Sequence, residues 1–258
     1  MEHKLLEKIV FNTEKSAFNT EPKESFQIVV SDNKTKFNTR FNPHIQFKNN
    51  KSYEIALVNL ETYYSFPNIT TDNNHFSYSP HNTEIWYHML IPEGSYDIED
   101  INKFIQEKMK QNGHGPDITL SANTNTLKAV LIIKNGYHVD FRPEHSVCRV
   151  LGFNNKVYTN EYQESENPVN ILNINSILVN IDIISGSYVN GQTAPTVYSF
   201  FPGVSPGYKI IETPANLVYL PITLDSIYSM QTTLTDQNGN LLNLRGENIT
   251  IRFHVRQI

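Results

Sequence analysis

The sequence contains a single cysteine, Cys148, in 258 residues. One thiol cannot close an intrachain disulfide, so a disulfide-stabilised scaffold is excluded and a reducing compartment is compatible with the chain. The sequence also lacks an apolar run of membrane-spanning length, and residues 1–20 show no apolar core of a signal peptide. We therefore expect a protein that is made in the cytoplasm, carries no signal peptide and does not insert into a membrane.

Charged residues are scarce as well, at 18% of the chain, and the net charge is −5 at pH 7. The Lys and Arg residues form no cluster that resembles the footprint of a nucleic-acid-binding protein. Specific nucleic-acid binding is therefore not expected.

Aromatic residues are plentiful by comparison, with 14 Tyr and 14 Phe but a single Trp. Tyr, Phe, Val, Ile and Thr favour pleated, half-buried surfaces, whereas Asn, which is frequent here, favours turns. This composition predicts an all-β protein with many loops.

The C-terminal stretch gives the clearest strand pattern. Four apolar residues, Ile249, Ile251, Phe253 and Val255, alternate with polar ones, as in a half-buried antiparallel strand. The preceding cluster Asp236–Asn240 contains Asn-Gly, which predicts a hairpin between this strand and the one before it.

Helical spacing occurs clearly once, from Tyr96 to Met109, with Ser95 as the expected N-cap and Gly113 as the stop. We expect residues 92–153 to form an inserted α+β module of a helix and a hairpin. A polar linker is expected from Asn154 to Pro168. Residues 1–24 read as an N-terminal arm, and residues 25–91 and 154–258 as a jelly-roll β-sandwich of about eight main strands.

Metal binding is the first chemistry to consider, because His75, His81, Glu84 and His88 lie close together in the sequence. Their spacing fits no zinc template, so polar surface residues are the favoured interpretation. Asp225 and Asp236 could be calcium ligands, but turn and strand-start positions explain them better. We predict no metal site.

Catalysis has little support either. His138 and Asp140 fall on one strand face and could orient a base, yet no activated nucleophile accompanies them. Cys148 lies among apolar residues and is expected to be buried and inert. The Gly186–Gly191 stretch lacks the Lys-Ser/Thr of a phosphate loop. We predict no catalytic residue, no cofactor site and no enzymatic activity.

Several phrases of the sequence occur in a familiar order: IPEGSYDIEDIN (91–102), VLGF (150–153), LVNIDII (178–184), PANLVYLPI (214–222), LTDQNG (234–239) and ITIRFHVR (249–256). In this order the chain resembles the penton, or minor capsid, proteins of Polinton/Maverick elements and adintovirus-like relatives. The resemblance covers residues 25–258. It implies a jelly-roll subunit that forms a homopentamer at the fivefold vertices of a virion, beside a double jelly-roll major capsid protein, without a cofactor.

Three functional hypotheses remain open at this stage. The first is this structural capsid protein. The second is a spike, knob or lectin-like jelly roll that binds a cell-surface receptor, for which the Tyr- and Asn-rich loops of residues 63–82 are suited. The third is a β-sandwich hydrolase that would depend on His138 and Asp140.

Overall fold

The structure is a computed structural model that describes residues 23–80, 85–171 and 174–258. The predicted N-terminal arm, residues 1–24, therefore lies outside the described residues except for its last two positions. The secondary-structure elements, in chain order, are β1 Ser25–Asp32, β2 Lys36–Gln46, β3 Tyr53–Tyr63, β4 His75–Ser79, β5 Tyr87–Leu90, α1 Ile98–Gln111, β6 Ile118–Asn123, β7 Lys128–Ile133, β8 His138–Asp140, α2 Cys148–Leu151, β9 Val157–Tyr158, β10 Tyr162–Glu164, β11 Ile177–Ile181, β12 Ser187–Val189, β13 Gln192–Ala194, β14 Thr196–Phe200, β15 Lys209–Glu212, β16 Leu220–Pro221, β17 Ser226–Thr235 and β18 Ile249–Gln257.

Two antiparallel sheets form a sandwich. Sheet A has the order β1-β18-β3-β15, with β16 also paired to β3, and sheet B has the order β14-β11-β17-β2. The strands therefore pair as β1 with β18, β2 with β17, β3 with β15 and β11 with β14. Four such pairs wound into two sheets are the eight-stranded jelly roll. The predicted fold class, a jelly-roll β-sandwich, is confirmed.

The sandwich core lies between the inner faces of sheets A and B. The four alternating apolar residues of β18, predicted from the sequence to face the core, are each 0% exposed. Each fully buried side chain of this size contributes about 1.5–3 kcal/mol to folding. The polar residues between them face outward, so one period-2 strand covers the core and presents a polar surface.

The predicted hairpin between β17 and β18 does not form. The tight turn exists, because the Asp236 N–H donates to the Asn240 carbonyl, but β17 belongs to sheet B and β18 to sheet A. Leu242 and Leu244 follow the turn and are buried in the sandwich core. Their burial directs the chain across the core to the other sheet.

The segment between β3 and β11 contains a second unit with its own hydrophobic core. A sheet in the order β5-β4-β8-β9 and another in the order β10-β7-β6 pack together with α1. The apolar stripe Ile98, Ile101, Ile105 and Met109 buries one side of α1. The N-cap is Asp97, whose side chain accepts from the Asp100 N–H, and not the expected Ser95, whose hydroxyl donates to the Phe66 carbonyl.

This second core extends beyond the predicted module, residues 92–153, on both sides: it begins at Ile69 and includes Ile171 at its edge. The structure places β4 and β5 here, and not in the sandwich as the boundary at residue 91 implied, because β4 pairs with β8. The predicted linker, residues 154–168, contains β9 and β10, which pair with β8 and β7. The hydrogen bonds of a sheet come from the backbone. A segment with the polar side chains of a linker can therefore still form strands.

The second unit and the two described ends of the chain lie at opposite ends of the sandwich. At one end, which we call the module end, Ser65 donates to the Leu244 carbonyl and the Gly207 N–H donates to the Tyr64 carbonyl. At the other end, which we call the terminal end, the Gln257 N–H donates to the Glu24 carbonyl. The sandwich therefore carries the second unit at one end and the two described ends of the chain at the other.

Candidate interaction surface

The structure describes two of the four residues considered as metal ligands, while His81 and Glu84 lie outside the described residues. The rings of His75 and His88 are 5.5 Å apart in an edge contact. Nδ1 of His88 lies 2.8 Å from the Ser77 hydroxyl, and Nδ1 of His75 lies 3.2 Å from the Glu144 carbonyl. Within the described part of the chain, no three His, Cys, Asp or Glu residues are grouped as metal ligands would be.

The carboxylate of Asp140 is bound by Arg142 and not by His138. Nε and Nη2 of Arg142 each donate to it at 2.9 Å. Burial acts to raise the pKa of Asp140, but the hydrogen bonds from Arg142 outweigh it and the net shift is downward. Asp140 and Arg142 thus form a structural ion pair in the second unit.

Ser77 lies between His88 and Asp140 in the register of three adjacent strands. Although this row contains the residue types of a hydrolytic triad, the serine occupies the middle and its side chain is fully buried. In a working triad the histidine stands between the serine and the carboxylate. A substrate could not reach this hydroxyl, so the row does not have the geometry of a nucleophilic site.

Cys148, Asp236 and Asp225, which the sequence singled out, lie in three separate places in the described structure. Cys148 is buried at the start of the short helix α2. The Asp236 carboxylate accepts from the backbone N–H groups of Asn238 and Asn240, which closes the turn. Asp225 lines a polar cavity at the terminal end.

Seven of the exposed apolar side chains in the described part of the chain belong to strands and loops on one side of the sandwich. We call this surface the apolar flank; its members are Tyr63, Phe201, Val204, Tyr208, Ile211, Leu217 and Val218. Tyr208, Ile211 and Val218 are each more than 60% exposed. Contiguous exposed apolar residues mark interaction surfaces more often than isolated ones do.

The strand pairing explains why these residues lie together. Lys209 of β15 lies opposite Tyr63 of β3, and the Tyr64 N–H donates to the Tyr208 carbonyl. β15 pairs with the end of β3 and β16 pairs with Ile55 and Glu54 near its start, so Leu217 and Val218 lie on the loop between two segments that border the same strand. Phe201 directly follows β14, which is one of the two edge strands of sheet B. The apolar flank thus follows the open edges of both sheets.

Polar groups on this flank already have partners within the chain. Nζ of Lys209 lies 2.6 Å from the Glu61 carboxylate and lowers the pKa of Glu61. The Tyr198 hydroxyl donates to Glu212 at 2.7 Å; burial and this hydrogen bond raise the pKa of Tyr198 to about 12. Because these groups are satisfied, covering the flank would leave few unpaired charges.

The opposite side of the sandwich exposes basic residues. There β1 and β2 are the outermost described strands of sheets A and B. Lys34, Lys36 and Arg40 are exposed on this side, which we call the basic flank, and they form no ion pair with other described residues. Val29 is exposed on β1. The two flanks therefore differ in polarity and in charge.

Sequence reasoning did not identify the apolar flank. The sequence does contain a sign of it in the Gly- and Pro-containing stretch 201–208. Phe201, Val204 and Tyr208 occur there in a loop, where polar residues are usual in a soluble monomer. Only the strand pairing shows that these residues join Tyr63 and Ile211.

Neither described helix is long and apolar enough to cross a membrane. The sequence matches no protein-family model and no curated protein. Among solved structures, the fold is similar to the crystal structure of the mavirus penton protein. The match has a TM-score of 0.48 and 12% sequence identity, and it covers 92% of this chain and 100% of the penton chain.

Proposed function

We propose that this protein is a structural subunit of a viral capsid, which forms a homopentamer at the fivefold vertices of the virion. In this role it contributes shape and self-contact in place of catalysis, and its neighbours are a double jelly-roll major capsid protein. The observation that carries the proposal is the apolar flank along the open edges of β14 and β15. The jelly-roll fold and the sequence resemblance to Polinton/Maverick-type pentons support it.

The two flanks suit a ring. A cyclic oligomer with more than two copies needs a head-to-tail contact between two different surfaces of the subunit. The apolar flank and the basic flank lie on opposite sides of the sandwich, since β14 and β15 are the edge strands on one side and β1 and β2 are those on the other. Such a contact would also cover sheet edges that are otherwise open to aggregation.

The two ends of the sandwich give the ring a direction. In the capsid, the second unit would lie on the outer side of the shell and the terminal end on the inner side.

Paired variants test the flank. Tyr208→Ser with Ile211→Asp removes an aromatic and an aliphatic contact and adds a charge. Tyr162→Ser with Leu90→Asp makes matched changes at exposed positions of the second unit. We expect native mass spectrometry to show loss of the oligomer in the flank variant and retention in the control. An oligomer that survives the flank variant, or is lost equally in both, would contradict the proposal.

The receptor-binding alternative loses its original support. In the described part of the 63–82 stretch, which ends at residue 80, Tyr64, Phe66 and Tyr78 are buried. A receptor-binding role would therefore need another surface.

A further inference from the structure

A groove of about 400 Å³ lies on the outer face of sheet B. The β12–β13 hairpin forms one wall, and the turn after β17 forms the other. The floor consists of outward-facing residues of β11, β14 and β17, among them Asn180, Thr196 and Thr235. It is a different surface from the apolar flank, which follows the sheet edges.

The floor holds an ordered hydrogen-bond array. Oγ1 of Thr196 donates to Oδ1 of Asn180 at 2.6 Å, and Nδ2 of Asn180 donates to Oγ1 of Thr235 at 3.3 Å. Thr196 and Thr235 are only 7% and 8% exposed, which is unusual for outward-facing strand residues. After these bonds, the array retains one amide N–H, one hydroxyl proton and several oxygen lone pairs for another molecule.

The remaining lining is uncharged. Leu178, Val189 and Pro195 supply apolar surface, and Asn190, Thr233 and Asn238 supply more amide and hydroxyl groups. No charged side chain is among the residues that line this groove in the described chain. By contrast, the cavity at the terminal end contains Lys48, Lys51 and Asp225, and the one at the junction with the second unit contains Asp97 and Asp100.

We propose that this groove binds a neutral carbohydrate. Sugar hydroxyls both donate and accept, which matches an array of alternating amide and hydroxyl groups. The C–H faces of a pyranose ring match the apolar wall, and the absence of a countercharge disfavours ionic ligands. This inference is independent of the capsid proposal, because a glycan could be bound by a subunit in any oligomeric state.

The test uses the full chain and a panel of neutral saccharides: galactose, glucose, mannose, N-acetylglucosamine and their short oligomers. Saturation-transfer NMR and titration calorimetry should detect at least one of them with a Kd of about 1 mM or below, the range expected of a small open site. A sialylated counterpart of the same sugar should bind no better than the neutral form.

Variants locate the site. Thr235→Val and Asn180→Leu remove array groups with little change of volume, and we expect each to weaken binding at least tenfold. Thr193→Val is the matched control, since Thr193 lies on the same hairpin but does not line the groove. Thermal unfolding shows whether each variant is folded. If Asn180→Leu does not fold, the isosteric variant Thr235→Val still tests the site.

Three results would overturn the carbohydrate assignment. The first is that no neutral saccharide binds. The second is saccharide binding that Thr235→Val leaves unchanged. The third is that the groove binds an uncharged peptide but no sugar.

Discussion

The guanidinium group of Arg256 stacks on the ring of Tyr219, with Cζ 3.5 Å from the ring centre. The Tyr219 hydroxyl also lies 2.8 Å from Nδ1 of His254, and Arg256 forms an ion pair with Glu54. These contacts fix the loop between β15 and β16 to β18 of sheet A. Because that loop carries Leu217 and Val218, Tyr219 supports one end of the apolar flank.

Substitutions of Tyr219 should separate these contributions. Tyr219→Phe keeps the cation–π contact and loses the hydroxyl bond, so we expect it to lower the free energy of unfolding by about 0.5–1 kcal/mol. Tyr219→Leu loses both and should cost about 1–2 kcal/mol. Urea denaturation measures the difference; equal costs for the two variants would show that the aromatic stack contributes nothing.

Gly152 should not tolerate a side chain. Its φ is +79°, and a Cβ there would lie 2.2 Å from the Asn167 carbonyl oxygen. Gly113 has φ +80° with open space around it and serves as the control. We expect Gly113→Ala to cost about 1 kcal/mol and Gly152→Ala about 3 kcal/mol or more, because backbone must move. Similar melting temperatures for the two variants would contradict this account.

Acid should weaken the second unit through Glu166. Burial acts to raise the pKa of this carboxyl, but hydrogen bonds from Lys156, Tyr158 and the Asn154 N–H outweigh it and lower the pKa to about 2. A pKa lowered by folding stabilises the protein above the unfolded value and loses that effect as pH falls from about 4.5 toward 2.

Glu166→Gln tests this linkage. The variant should be less stable at pH 7 by about 2 kcal/mol and should lose less stability than the wild type between pH 5 and pH 2. Denaturant unfolding at each pH provides the comparison. If the wild type and the variant lose stability in parallel, Glu166 does not contribute to the acid response.

We also propose that the second unit, residues 69–171, folds as a separate domain, since its hydrophobic core shares no residue with that of the sandwich. A fragment of residues 66–174 contains Trp86, the single tryptophan. It should show cooperative unfolding by Trp fluorescence at a midpoint close to that of the full chain. A fragment without a cooperative transition would mean that the sandwich is needed to order this unit.

The parts of the fold that the sequence predicted are those where side-chain periodicity decides the outcome. The alternation in β18 and the helical stripe of α1 both identified the buried faces correctly. In β3 a bulge interrupts the period: Phe253 pairs with Leu57 while Arg252 pairs with Asn59, so Leu60 is buried and Asn59 faces outward. A single inserted residue reverses the face of every residue after it, and local composition does not reveal it.

Connections were harder to predict than strands. Asn238-Gly239 and Asn135-Gly136 both form turns, but each turn leads to a strand of another sheet. Turn chemistry fixes the local backbone, whereas the partner of the next strand depends on distant burial, such as that of Leu242. The apolar flank depends on the same long-range pairing, which is why its residues looked unrelated in the sequence.

The number of copies in the assembled particle tests the central claim most directly. Electron microscopy of the purified protein, together with its mass by light scattering, should show rings of five subunits with a total mass of five times 29.7 kDa. A protein that stays monomeric at high concentration and in the presence of a major capsid protein, or that forms a twofold dimer through the apolar flank, would contradict it.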